Sequence, residues 1–103
     1  MIIAITRNIV DSAKKDDYAS ISNFMMKEMA ACDDCLQAYT FSEPEKQDSV
    51  MNIEIWRNKD AREKYCFPIF LKYKSSLKPY FKKNEEFVFE ADELPTFSAI
   101  KQK

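Results

Sequence analysis

Residues 50–57 alternate Met51, Ile53 and Ile55 with Asn52, Glu54 and Trp56. Side chains along a strand point to opposite faces in turn, so an amide, a carboxylate and an indole stand in a row on one face. That set has a chemical reading. The amide and the indole N–H are donors suited to an anionic oxygen, the indole gives a flat ring a stacking surface, and a buried carboxylate can accept a phenolic proton. It also has an ordinary structural reading, in which Trp56 is core, its N–H is satisfied by Asn52 or Glu54, and Glu54 pairs with an Arg or Lys. Asn8 shares a face with Ala4 and Thr6, small residues that leave room for a ligand; an Asn near a strand end also bonds backbone. Tyr39, Tyr65 and Tyr73 lie on apolar stripes, where a tyrosine fills core and offers a polar tip. Arg62 stands at the inner edge of a short helix, to meet an anionic substrate or solvent.

Two absences limit the chemistry. The 103 residues include no His and no Gly. Lack of His excludes Ser-His-Asp and Cys-His nucleophile systems, the facial triad of non-haem iron and a histidine-ligated haem. Lack of Gly removes the backbone positions that phosphate-cradling loops of nucleotide cofactors require. Neither a metal nor a cofactor is therefore expected. Sixteen Lys and Arg against seventeen Asp and Glu give a net charge of −1 and a pI near 5.5, without the clustered positive charge that nucleic acid demands. Residues 72–83 hold the densest basic stretch, but apolar residues interleave it as on the wet face of a helix.

No segment approaches the ~20 apolar residues that span a bilayer. The N-terminal segment lacks a basic leader and a small-residue cleavage site, and three cysteines suit a reducing compartment. A cytoplasmic address is expected. Cys32-Asp33-Asp34-Cys35 has redox spacing, yet it lies at a helix end. The thiol-activating dipole acts at a helix start, so the spacing reads as accidental and Cys35 as core.

The elements that must position these residues follow from periodicity. Residues 2–10 are a short β-branched strand. Asp11 or Ser12 caps a helix whose apolar stripe is Tyr18, Ile21, Met25, Met29 and Cys32. Residues 35–42 form a second strand, 43–49 a polar loop containing Pro44, and 50–57 the third strand. A short helix runs from Asn58 or Asp60 through Tyr65. A further helical stripe, Phe70, Tyr73 and Leu77, begins at Pro68 and is stopped by Pro79. Residues 86–91 complete the set. The order predicts one α+β domain over 1–92, a ferredoxin-like βαββαβ sandwich with a four-stranded antiparallel sheet. Residues 93–103, with Leu94, Phe97 and Ile100, read as an arm. Met51, Ile53 and Ile55 make the uncovered sheet face too apolar for water, so a second copy is expected to close it into a homodimeric barrel with the arm on the partner.

Three segments together resemble a known family. They are Ile2-Ile3-Ala4-Ile5-Thr6-Arg7-Asn8, Cys35-Leu36-Gln37-Ala38-Tyr39, and Asn52-Ile53-Glu54-Ile55-Trp56 followed by Asp60 and Ala61. In order and spacing they resemble the antibiotic-biosynthesis-monooxygenase family over residues 2–91. The resemblance implies a dimeric α/β barrel and, as in quinol monooxygenases and anthrone oxygenases, oxidation of a small aromatic quinol, phenol or anthrone by O₂ without metal or flavin. It implies that Asn52 and Trp56 are the catalytic pair, holding the substrate anion. Asn8, Glu54, Tyr65 and Tyr73 would then bind substrate.

The chain also departs from that pattern. Lys74 stands near the place of the haem-ligating His of haem-degrading relatives, and Tyr65 where many members have His. Phe67-Pro68-Ile69-Phe70 replaces a Ser-Pro-His-Phe segment, and Asp34 replaces a Gly. The alternative function is a non-catalytic barrel that binds a small molecule, and a third is a haem-binding relative.

Overall fold

A computed structural model describes residues 1–92; the expected arm, 93–103, lies outside the described residues. Strand β1 (Ile2–Val10) leads through one 3-10 turn into helix α1 (Lys15–Ala30), followed by β2 (Cys35–Phe41), β3 (Ser49–Trp56), helix α2 (Lys59–Leu77) and β4 (Phe81–Glu90). The Asp11 side chain accepts from the Ala13 N–H at 3.1 Å and caps that first turn. Asp16 and Asp17 occupy the first turn of α1, where the helix dipole favours negative charge. Asn58 caps α2 by accepting from the Ala61 N–H at 2.8 Å.

The four strands form an antiparallel sheet in the order β2-β3-β1-β4, the ferredoxin-like topology. Val10, Met26, Met29 and Trp56 are fully enclosed between helices and sheet. Glu45, in the β2–β3 connection, has φ 67°. That left-handed position costs a residue with a Cβ about 1 kcal/mol, and this chain has no glycine to place there.

Two elements differ from the sequence expectation. Residues 59–77 are one continuous helix rather than two, with Pro68 inside it. The proline forfeits one backbone hydrogen bond, but the turns before and after it bury Ala61, Cys66 and Leu77 in the same core, and this shared burial holds them on one axis. Strand β4 begins at Phe81 rather than 86. Lys82, Lys83, Asn84 and Glu85 carry no strand signal, but the free edge of β1 pairs with the strand back to Phe81, with one register shift at Lys82 between Ile9 and Val10.

Register sorts the side chains of the sheet. Thr6 lies opposite Asn52 on one side and Glu86 on the other, and Asn8 opposite Val50 and Asn84. These residues face the helices. On the other face Tyr39, Ile53, Ile5 and Phe87 form a row across all four strands, beside a second row of Ile55, Ile3 and Phe89. Met51 and Ile55 are already buried by their neighbours, whereas Tyr39, Phe87 and Phe89 are 47, 41 and 51 % exposed.

Candidate functional site

Helix α1 packs on β2 and β3, and α2 packs chiefly on α1, so the sheet beneath β1 and β4 is less closely covered. The resulting wedge holds a cavity of about 210 Å³. Its floor is Thr6, Asn8, Asn52 and Glu54 from the two central strands; Met25, Met29, Phe67 and Phe70 supply apolar wall from the helices. A few polar groups converging in an apolar cleft is the usual make-up of a small-molecule site.

Asn52 is held from behind. The Ser22 hydroxyl donates to its Oδ1 at 2.8 Å and the Thr40 hydroxyl at 2.9 Å. Two hydroxyls on the carbonyl oxygen leave the amide NH₂ as the group that Asn52 presents to the cavity. Asn8 is fixed in the opposite sense: its Nδ2 donates to the Val50 carbonyl at 3.1 Å, leaving its own carbonyl oxygen as the acceptor.

Glu54 is the hub of the cluster. Its Oε1 accepts from Trp56 Nε1 at 3.0 Å, Arg62 Nε at 2.8 Å and Cys66 Sγ at 3.0 Å. No donor among the described residues reaches Oε2, and Glu54 lines the cavity. Arg62 also donates from Nη2 to Glu86 Oε1 at 2.7 Å. Burial opposes the guanidinium charge, but the bonds to Glu54 and Glu86 more than offset it and raise the Arg62 pKa. Burial, followed by the Glu54 charge, pushes the Cys66 thiol up, so Cys66 is a neutral donor here and not a nucleophile. Burial pushes Cys35 up to about 11, in keeping with a core thiol.

The sequence-derived residues separate into two groups. Asn8, Asn52 and Glu54 line the cavity, and Arg62 joins them instead of facing solvent. Trp56 is fully buried, gives its N–H to Glu54 and stacks on Tyr65 with centroids 6.2 Å apart and planes at 11°; neither ring lines the cavity. The Tyr73 hydroxyl lies 3.4 Å from Glu28 Oε1, where Lys72 also pairs, and its half-buried ring packs against the core without lining the cavity.

Sequence reasoning missed Tyr18, Ser22 and Cys66. Tyr18 lines the cavity, and burial alone raises its hydroxyl to about 12. Ser22 falls four residues after Tyr18 and is completely buried. A serine on the apolar stripe of a helix was the readable sign that a polar partner lay opposite. Among the described residues no three His, Cys, Asp or Glu side chains converge as metal ligands, and no helix is long and apolar enough to cross a membrane.

No family profile matches the chain, and no curated protein matches it by sequence. Solved structures do. A protein from Deinococcus radiodurans described as an antibiotic biosynthesis monooxygenase superposes with a TM-score of 0.82 at 15 % identity, covering 93 % of this chain and 97 % of that one. A second antibiotic biosynthesis monooxygenase gives 0.78 at 14 % identity, covering 90 and 100 %. A variant of SnoaB, a cofactor-independent oxygenase from Streptomyces nogalater, gives 0.72 at 20 % identity, covering 90 and 94 %. The chain therefore has the ferredoxin-like fold of the antibiotic biosynthesis monooxygenases.

Proposed function

We propose that the chain is a cofactor-independent monooxygenase acting with O₂ on a small aromatic quinol, phenol or anthrone. The observation that carries this reading is Asn52. Its carbonyl is locked by Ser22 and Thr40, so its NH₂ is a preorganised donor at an apolar cavity. Such a donor stabilises a phenolate or enolate oxygen more than the neutral form, because it meets charge without having to reorganise. Glu54 Oε2 accepts the proton, while Trp56, Arg62 and Cys66 hold the other oxygen and fix the carboxylate in place. Trp56 thus acts through Glu54 rather than by stacking on the ring, and Tyr65 supports Trp56.

The chemistry balances without an added reductant. An anthrone CH₂ becomes C=O; one atom of O₂ enters the product and the other leaves as water with the two hydrogens. All four electrons come from the substrate. The likeness to SnoaB supports O₂ as the oxidant.

Two apolar rows on the open face support a homodimer closed sheet to sheet, since apolar area of this kind marks an association surface. Three free thiols fit a reducing cytoplasm.

The deciding experiment is O₂ uptake by metal-stripped protein with hydroquinones, naphthols and anthrones. Saturable uptake is expected, with one water formed per O₂. Binding without uptake across the panel would replace this reading with the non-catalytic barrel.

A further inference from the structure

A second chamber of about 240 Å³ continues from the cavity toward the C-terminal end of α2. The two share Asn8, Tyr18, Phe70, Leu77 and Asn84, which form a waist between them. The chambers differ in chemistry. The inner one holds Asn52 and the Glu54–Arg62–Glu86 cluster. The outer one has apolar walls and ends at Lys74 and Lys78, one turn apart on α2 and the turn after it, with no carboxylate in its lining. Neither ammonium is ion-paired among the described residues.

Tyr18 stands at the waist and lines both chambers. No side chain among the described residues bonds its hydroxyl, and the oxygen is not sealed from solvent, so it is free to donate to an occupant. Its raised pKa, from burial, keeps it protonated and therefore a donor at neutral pH.

We infer that the ligand of this cavity is an aromatic hydroxy acid: its hydroxyl-bearing ring passes Tyr18 at the waist toward Asn52 and Glu54 in the inner chamber, and its carboxylate meets Lys74 and Lys78 in the outer one. This rests on reading the cavity as the ligand site and adds the substrate's charge and polarity. A neutral quinol would leave both lysines unused. A carboxylate directed inward would meet Glu54 and Glu86, and the Arg62 guanidinium beside them is already paired with both.

The test is direct binding, by titration calorimetry, of two probes: 6-hydroxy-2-naphthoate and 2-naphthol. The acid is expected to bind about tenfold tighter, and that advantage disappears in 0.5 M salt, which screens exposed charges beyond about 4 Å. Lys74→Glu with Lys78→Glu removes the advantage and leaves 2-naphthol unchanged. Tyr18→Phe weakens both probes by about fivefold. Equal binding of the two probes by the native protein, or an acid advantage that survives high salt, overturns the inference. So does binding of neither probe. The salt series uses native protein, so it decides the matter even where a variant fails to fold. O₂ uptake separates the two proposals: uptake on neutral quinols with no acid preference defeats this one alone. Acid-selective binding without uptake defeats the oxygenase reading alone.

Discussion

The two faces of the sheet differ in a way that coverage in a single chain does not call for: a polar patch lies within the apolar covered face, and two apolar rows lie on the open one. Beneath the helices, among the core residues Ile2, Val10, Val50 and Trp56, stand Asn8, Asn52 and Glu54, all buried. On the uncovered face, where polar residues belong, stand Ile3, Ile5, Ile53, Phe87 and Phe89. Buried polar groups are costly unless satisfied, and each of these is bonded at one atom, by Val50, by Ser22 and Thr40, or by Arg62, Trp56 and Cys66, with its other polar atom toward the cavity. The covered face spends hydrophobic area to hold a polar cavity in fixed geometry. The open face keeps hydrophobic area in reserve for association. Arg7 marks the border between them and the loop: it pairs with Glu43 at 2.6 Å and Glu85 at 3.7 Å, closing the apolar rows with charge.

Breaking the covered face should cost most. Glu54→Ala leaves Arg62 with Glu86 alone and strips partners from the Trp56 N–H and the Cys66 thiol. Removing one partner of a buried ion pair costs about 3 to 5 kcal/mol, which corresponds to a fall in Tm of more than about 12 °C for a domain of this size. A thermal scan showing a fall of only a few degrees would mean that the cluster is not a structural hub.

Next is the open face. Phe87→Glu places one new charge per chain on a half-exposed edge position that an isolated domain tolerates. Across a two-fold interface it should weaken the dimer about 100-fold, or about 3 kcal/mol. Sedimentation should show monomer at micromolar concentration with the far-ultraviolet CD unchanged. A native protein that is already monomeric removes the reason for the apolar rows.

Asn52→Ala separates chemistry from stability on the covered face. Turnover should fall about 100-fold, as when one preorganised donor to a developing anion is removed. Stability should change by only about 1 kcal/mol, since Ser22 and Thr40, 3.2 Å apart, can bond each other. Unchanged turnover would move the anion site elsewhere in the cavity.

The smallest effect lies at the border. Hydrogen bonds from Arg7 and Ser49 lower the Glu43 carboxyl from the ordinary 4.5 to about 2. Because the folded value is the lower one, the stabilisation is complete above about pH 4.5 and is lost as pH falls toward 2. Glu43→Gln should flatten the native protein's decline in Tm within that window and leave the neutral-pH slope unchanged.

How much of this was legible depended on whether the signal was periodic. The alternation across residues 50–57 placed Asn52, Glu54 and Trp56 on one face, and the strand puts them there. It did not separate them, because which members of a row reach a cavity depends on what packs above. Tyr65 covers Trp56, while the spread of α2 away from β4 opens the space over Asn52 and Glu54. Arg62 and Cys66 are four residues apart on one side of α2 and meet Glu54 only because α2 crosses β3 there. Tyr18 looked like core because one-dimensional periodicity reports a buried stripe and not whether a hydroxyl at its edge is satisfied.

The sequence alone determined the order of elements, the two faces of the central strands and the absence of any histidine- or glycine-based chemistry, because these depend on local pattern and composition. Tertiary structure decided that α2 runs unbroken through Pro68 and that β4 extends back to Phe81. It also decided that one carboxylate gathers three donors from two elements. Each of these is set by partners distant in sequence: a shared core, a free strand edge, a guanidinium brought across the sheet. Burial and backbone pairing act through space, and they prevail over local propensity wherever the two disagree.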